Sequence, residues 1–128
     1  MKDKNKNYEV LVRKAITYRN RGMYEGAIEC FERAIEVYPD CDEVYTEMGE
    51  TYALQKEYDK AIDFFNRAIR INPDFAEVYC FMGKAYADNK EYDKAIECFK
   101  KAIENDPDCE GAYTGIGRAS LRKDSPKG

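Results

Sequence analysis

The chain has no histidine, no CxxC pair, no GxSxG sequence, no phosphate-cradling glycine loop, only four prolines and no long apolar run. Each absence excludes something. Without histidine or an activated nucleophile, and with carboxylates spread over polar helix faces, no catalytic centre is expected. No stretch approaches the ~18 apolar residues that span a bilayer, and the opening MKDKNKNYEV carries charge but no apolar core of a secretory signal, so a cytoplasmic protein without membrane contact is expected. The five cysteines, Cys30, Cys41, Cys80, Cys98 and Cys109, are an odd number, which suits a reducing compartment better than a disulfide framework. They read as small buried apolar residues. A zinc site is the alternative, because Cys30/Cys41 and Cys98/Cys109 share a spacing. The two pairs are far apart along the chain, however, and no histidine completes either, so no metal or cofactor is expected.

What is present is charge, apolar periodicity and repetition. The 128 residues are 44% hydrophobic and 36% charged, which suits a helical domain. The formal net charge of −4 disfavours nucleic acid as a partner. The segment EYDKAIDFFNRAIRINPD (57–74) returns 34 residues later as EYDKAIECFKKAIENDPD (91–108) and appears 34 residues earlier as MYEGAIECFERAIEVYPD (23–40). A fixed period of this length marks a solenoid. The repeats run over 8–41, 42–75 and 76–109, followed by a partial fourth over 110–122. Residues 1–7 read as a disordered lead-in and 123–128 as a flexible tail, leaving one domain over 8–122.

Each repeat predicts two helices. In the second, Tyr45, Met48, Gly49 and Tyr52 fall on one helical face, and Ala61, Ile62, Phe65, Ala68 and Ile69 on another. The break between them is Gln55-Lys56-Glu57, with Asp59 as a candidate cap. Pro39, Pro73 and Pro107 stop the second helices. Gly22 suits a left-handed turn, whereas Lys56 and Lys90 occupy the equivalent places, so those turns should be strained or differently shaped. Gly49 and Gly83 should face partner helices, with Ala61, Ala68, Ala95 and Ala102 allowing close approach.

These residues resemble the tetratricopeptide repeat, whose order is an aromatic, Leu-Gly, Tyr, Ala, Phe, Ala and Pro. The second repeat supplies Tyr45, Met48-Gly49, Tyr52, Ala61, Phe65, Ala68 and Pro73, and the third Tyr79, Met82-Gly83, Tyr86, Ala95, Phe99, Ala102 and Pro107. The first supplies Leu11, Ala15, Tyr18, Ala27, Phe31, Ala34 and Pro39, with Lys14 where an apolar residue is usual. The segment EGAYTGIGRASLR resembles a closing helix, expected to fray at Gly111 and Gly115. The resemblance implies an all-α, right-handed α-solenoid of three helix pairs plus that helix.

It also implies a concave groove for a partner's peptide or helix, and so a non-catalytic protein–protein interaction module. The groove residues would be Val12, Arg13, Ile16, Glu43, Glu47, Glu50, Glu77, Phe81, Lys84 and Arg118. Over the inward positions the second repeat contributes −3 (Glu43, Glu47, Glu50) and the third −1 (Glu77 and Asp88 against Lys84), so a ligand with a basic centre is expected. Relatives that clamp acidic chaperone tails use Lys, Asn, Asn, Lys and Arg where this chain has Val12, Ile16, Glu47, Glu77 and Phe81. Tail binding of that type is therefore not expected. The alternative reading is a self-assembling scaffold block, a homo-oligomer joined through the C-terminal end or the convex face.

Overall fold

Proline ends a helix by withholding a donor and by pushing the preceding residue into extended backbone. Tyr38 (φ −133°, ψ 91°) and Asp106 (φ −144°, ψ 96°) are both extended in this way, ahead of Pro39 and Pro107. The computed structural model describes residues 2–124, and among these it contains seven helices and no strand. The helices are α1 (Lys2–Asn20), α2 (Tyr24–Val37), α3 (Asp42–Leu54), α4 (Tyr58–Ile71), α5 (Ala76–Asp88), α6 (Tyr92–Asn105) and α7 (Glu110–Lys123). Among the described residues no helix is long and apolar enough to cross a membrane.

The helices gather in two compact units, an N-terminal one closing at Ile71 and a C-terminal one opening at Asn72. A repeat array builds its core locally, from neighbouring helices, instead of around one centre. Within the N-terminal unit α1 packs on α2, α2 on α3, and α3 on α4; within the C-terminal unit α5 packs on α6, and α7 on both.

Three boundaries differ from the sequence reading. α1 starts at Lys2, so residues 2–7 are helix and not a disordered lead-in. Once the segment from Tyr8 onward is packed, extending a helix adds a hydrogen bond per residue with no new nucleus to form. Asp59 lies inside the first turn of α4, where its carboxylate complements the helix dipole but does not cap the end. α7 continues to Lys123, whose Nζ is 2.5 Å from Asp93 Oδ1 on α6. Residues 125–128 of the expected tail lie outside the described residues.

In each unit the core is built on phenylalanine among alanines. Phe31, Phe65 and Phe99 are 0%, 1% and 2% exposed, and Ala27, Ala34, Ala61, Ala68, Ala95 and Ala102 beside them are fully buried. A Cβ at Gly49 would run into the Phe65 ring, and one at Gly83 or Gly115 into the Phe99 ring. Gly115, which the sequence presents only as a weak helix former, therefore has a packing reason. Gly117 faces open space. A tyrosine at the fourth position of α3, α5 and α7 ties down the preceding turn: the Tyr45 hydroxyl donates to Pro39 O (2.8 Å), Tyr79 to Pro73 O (3.3 Å) and Tyr113 to Pro107 O (3.0 Å).

Lys56 and Lys90 both take φ 65°, close to Gly22 at 78°. The turns share one shape, and the two lysines carry the left-handed strain. Replacing Lys56 or Lys90 with glycine should therefore stabilise the protein by about 0.5–1 kcal/mol in urea denaturation. The two glycines of α7 should separate by sign in the same assay. Gly117→Ala should gain up to about 1 kcal/mol of helix propensity, while Gly115→Ala should lose about 1–3 kcal/mol by overpacking Phe99.

Candidate functional site

Side chains of α1 and α3 near the buried Ala15 and Met48 form the candidate surface of the N-terminal unit. Val12 and Ile16 are half-buried, packed against the cluster that contains Ala15, Phe31 and Met48. Arg13 is exposed, and its carbonyl accepts from Thr17 Oγ1 (2.9 Å). At the end of α1, Arg19 reaches over to α3: its Nη1 lies 2.5 Å from Glu47 Oε2 and 3.8 Å from Glu50 Oε2. All three side chains are largely withdrawn from water, at 13%, 21% and 28% exposure. The acidic patch is therefore partly neutralised from within, and Glu43 alone of its three carboxylates stands exposed. Counting charge repeat by repeat hides this, because the cation and its carboxylates belong to different repeats.

In the C-terminal unit, Phe81 and Lys84 on α5 and Arg118 on α7 are brought together around a cavity of about 510 Å³. Phe99 and Ala119 contribute apolar wall, and Gly111 and Gly115 leave α7 without side chains where it borders the space. Lys84, Arg118 and Arg122 stand against Asp88 and Glu110 along the lining. The C-terminal opening is thus slightly cationic, in contrast to the N-terminal face. Glu77 is exposed in the first turn of α5 and does not line the cavity.

The cysteines divide into two groups. Cys30 and Cys98 are buried at matching places on α2 and α6, and burial pushes the Cys98 thiol up to about 11. Cys41, Cys80 and Cys109 remain half-exposed, which corrects the expectation that all five are buried. Cys41 Sγ meets the Tyr8 hydroxyl at 2.5 Å, and Cys80 Sγ meets Cys109 Sγ at 3.1 Å. Burial, then the hydrogen bond to Cys109, pushes the Cys80 thiol up to about 12. This pairing was missed because it joins residues 29 positions apart, neither in a CxxC nor in the spacings that repeat. Among the described residues no three His, Cys, Asp or Glu side chains gather where they could hold a metal ion.

The comparisons agree with this architecture. A tetratricopeptide-repeat family model matches residues 8–74, and a second matches 76–109. A crystal structure of MamA is 33% identical, with 91% of this chain and 68% of that one covered at a TM-score of 0.82. The first tetratricopeptide domain of Spaghetti (RPAP3), bound to the HSP90 peptide SRMEEVD, is 22% identical over 94% of this chain and 95% of that one, with a TM-score of 0.85. The TPR2B domain of yeast Sti1, in complex with an Hsp70 peptide, is 20% identical over 91% of this chain and 98% of that one, with a TM-score of 0.82. No curated relative matches the chain. Domains of this family are in general protein–protein interaction modules and not enzymes. With the matched models covering both helix-paired units, the chain belongs to the tetratricopeptide-repeat family.

Proposed function

We propose that this chain is a non-catalytic adaptor that binds a peptide or helix of a partner protein on the first helices of its pairs. The observation that carries the reading is the cavity beside Phe81, whose volume of about 510 Å³ suits a ligand-binding site. An apolar side chain of the partner would sit over Phe81 and Phe99, while Lys84 and Arg118 meet a carboxylate or carbonyl of the bound segment. On the N-terminal unit, Val12 and Ile16 offer apolar contact. Exposed Glu43 and the Glu47–Glu50 pair, held by a single Arg19, leave an excess of negative charge. That excess supports a basic residue in the partner segment, with Arg13 and Glu77 as outlying contacts. A cytoplasmic place of action belongs to the same proposal and rests on the five free thiols.

The mode differs from the chaperone-tail complexes named for the structural neighbours. Val12 and Ile16 are apolar and half-buried, Glu47 is engaged by Arg19, and Glu77 is acidic. None of those positions offers a cation to a doubly charged carboxylate terminus, and Glu77 would oppose it.

A second reading, homo-oligomerisation through the closing helix, is favoured by the outer side of α7, where Leu121 is 75% and Tyr113 53% exposed and Gly117 adds no bulk. Sedimentation equilibrium over a wide concentration range discriminates the two: a stable dimer would redirect the assignment to α7, and a monomer leaves the cavity open to a partner. For the monomer, a peptide array enriched in Lys and Arg should yield a ligand whose affinity falls at least about tenfold in Phe81→Ala. Glu47→Lys combined with Glu50→Lys should also weaken that ligand, most strongly at low salt. Unchanged low-salt affinity in the double variant would sink the basic-centre assignment.

A further inference from the structure

Two thiols meet at the wall of the C-terminal cavity. Cys80 projects from α5 into its lining, and Cys109 is the residue that opens α7, with the two sulfurs 3.1 Å apart. Both are half-exposed, so solvent-borne reagents have a route to them. The other cysteines lack this arrangement: Cys30 and Cys98 are buried, and Cys41 faces the Tyr8 hydroxyl instead of a thiol. A disulfide bond is about 2.05 Å long, so closing the pair calls for an approach of about 1 Å. Cys109 caps α7 with extended backbone (φ −75°, ψ 90°), its N–H bonded to Asp106 O and its carbonyl to Ala112 N, so the approach falls to rotation of the two side chains about their Cα–Cβ bonds.

We propose that Cys80 and Cys109 form a redox-responsive modification site, a thiol pair that a hydroperoxide converts into a reversible disulfide tying the start of α7 to α5. The inference stands independently of what the cavity binds.

The chemistry balances with the peroxide as the named oxidant. The Cys109 sulfur attacks one peroxide oxygen; the O–O bond breaks, the sulfur becomes a sulfenic acid, and the other oxygen leaves as water or alcohol. The Cys80 sulfur then attacks the Cys109 sulfur. The S–O bond breaks, and the departing hydroxide takes the Cys80 proton and leaves as water. Two electrons pass from the sulfurs to the peroxide, and a dithiol reductant returns them. The order follows from place: Cys109 stands at the N-terminus of α7, whose dipole stabilises the negative charge that builds on the departing peroxide oxygen.

The test uses the whole chain, reduced, freed of reductant and treated with hydrogen peroxide at neutral pH. Remaining thiols are then blocked with N-ethylmaleimide in denaturant, and the digest is read by mass spectrometry. The expected product is a Cys80–Cys109 cross-linked peptide, two hydrogens lighter than its parts, with Cys30, Cys41 and Cys98 labelled. Dithiothreitol added before blocking should restore all five labels. In Cys80→Ser, whose change is small enough to leave the fold intact, Cys109 should instead be captured by dimedone as the sulfenic acid. Full labelling of Cys80 and Cys109 after peroxide would overturn the proposal, as would sulfinic acid at either position or a cross-link between any other pair. A missing dimedone adduct would overturn the assigned order of attack.

Discussion

Everything in this molecule depends on seating a phenyl ring between helices that approach as closely as alanine and glycine permit. Phe31, Phe65 and Phe99 are almost fully enclosed, and the flanking residues of their own helices are alanines, which let the neighbouring helices come close enough to cover the ring. The same constraint explains why Gly49 and Gly83 have no side chain, since a Cβ at either would overlap the ring it faces. In α7 it reaches further, as Gly115 is required by the ring of Phe99 on α6. A residue that weakens the closing helix in isolation thus allows that helix to dock.

The turns are subordinate to this packing. Closing a helix pair over its phenylalanine demands a left-handed residue at one place, and the chain uses glycine there once and lysine twice. That lysine tolerates φ 65° shows that packing of the paired helices outweighs a local backbone cost of about 1 kcal/mol. The tyrosine–proline hydrogen bonds have the complementary role. Each satisfies the proline's own carbonyl in the turn between helices, and in doing so ties that turn to the start of the next helix.

Polar groups are then disposed on whatever face the core leaves over. Arg19 lies at the end of one helix and Glu47 and Glu50 in the middle of another, yet the pairing of α1 with α2 and α2 with α3 brings them into an ion-paired group with little exposure. The C-terminal unit makes the opposite use of the same geometry. Between α5 and α7 the glycines withdraw and a cavity opens, with Phe81 and Phe99 as its aromatic surface and the Cys80–Cys109 contact at its edge.

The sequence by itself determined the elements and the core. A 34-residue period, two apolar stripes per repeat and a recurring proline specify paired helices because helical periodicity and the missing proline donor are local properties of the chain. The identity of the buried rings was legible for the same reason. What only the tertiary structure decided is how side chains from separate helices, far apart in the chain, meet. The partial neutralisation of Glu47 and Glu50 by Arg19, the packing reason for Gly115 and the contact of Cys80 with Cys109 all span 16 or more residues. No local pattern records such a meeting, since it follows from the angles and offsets at which helices pack, and these are set by the summed fit of many small contacts.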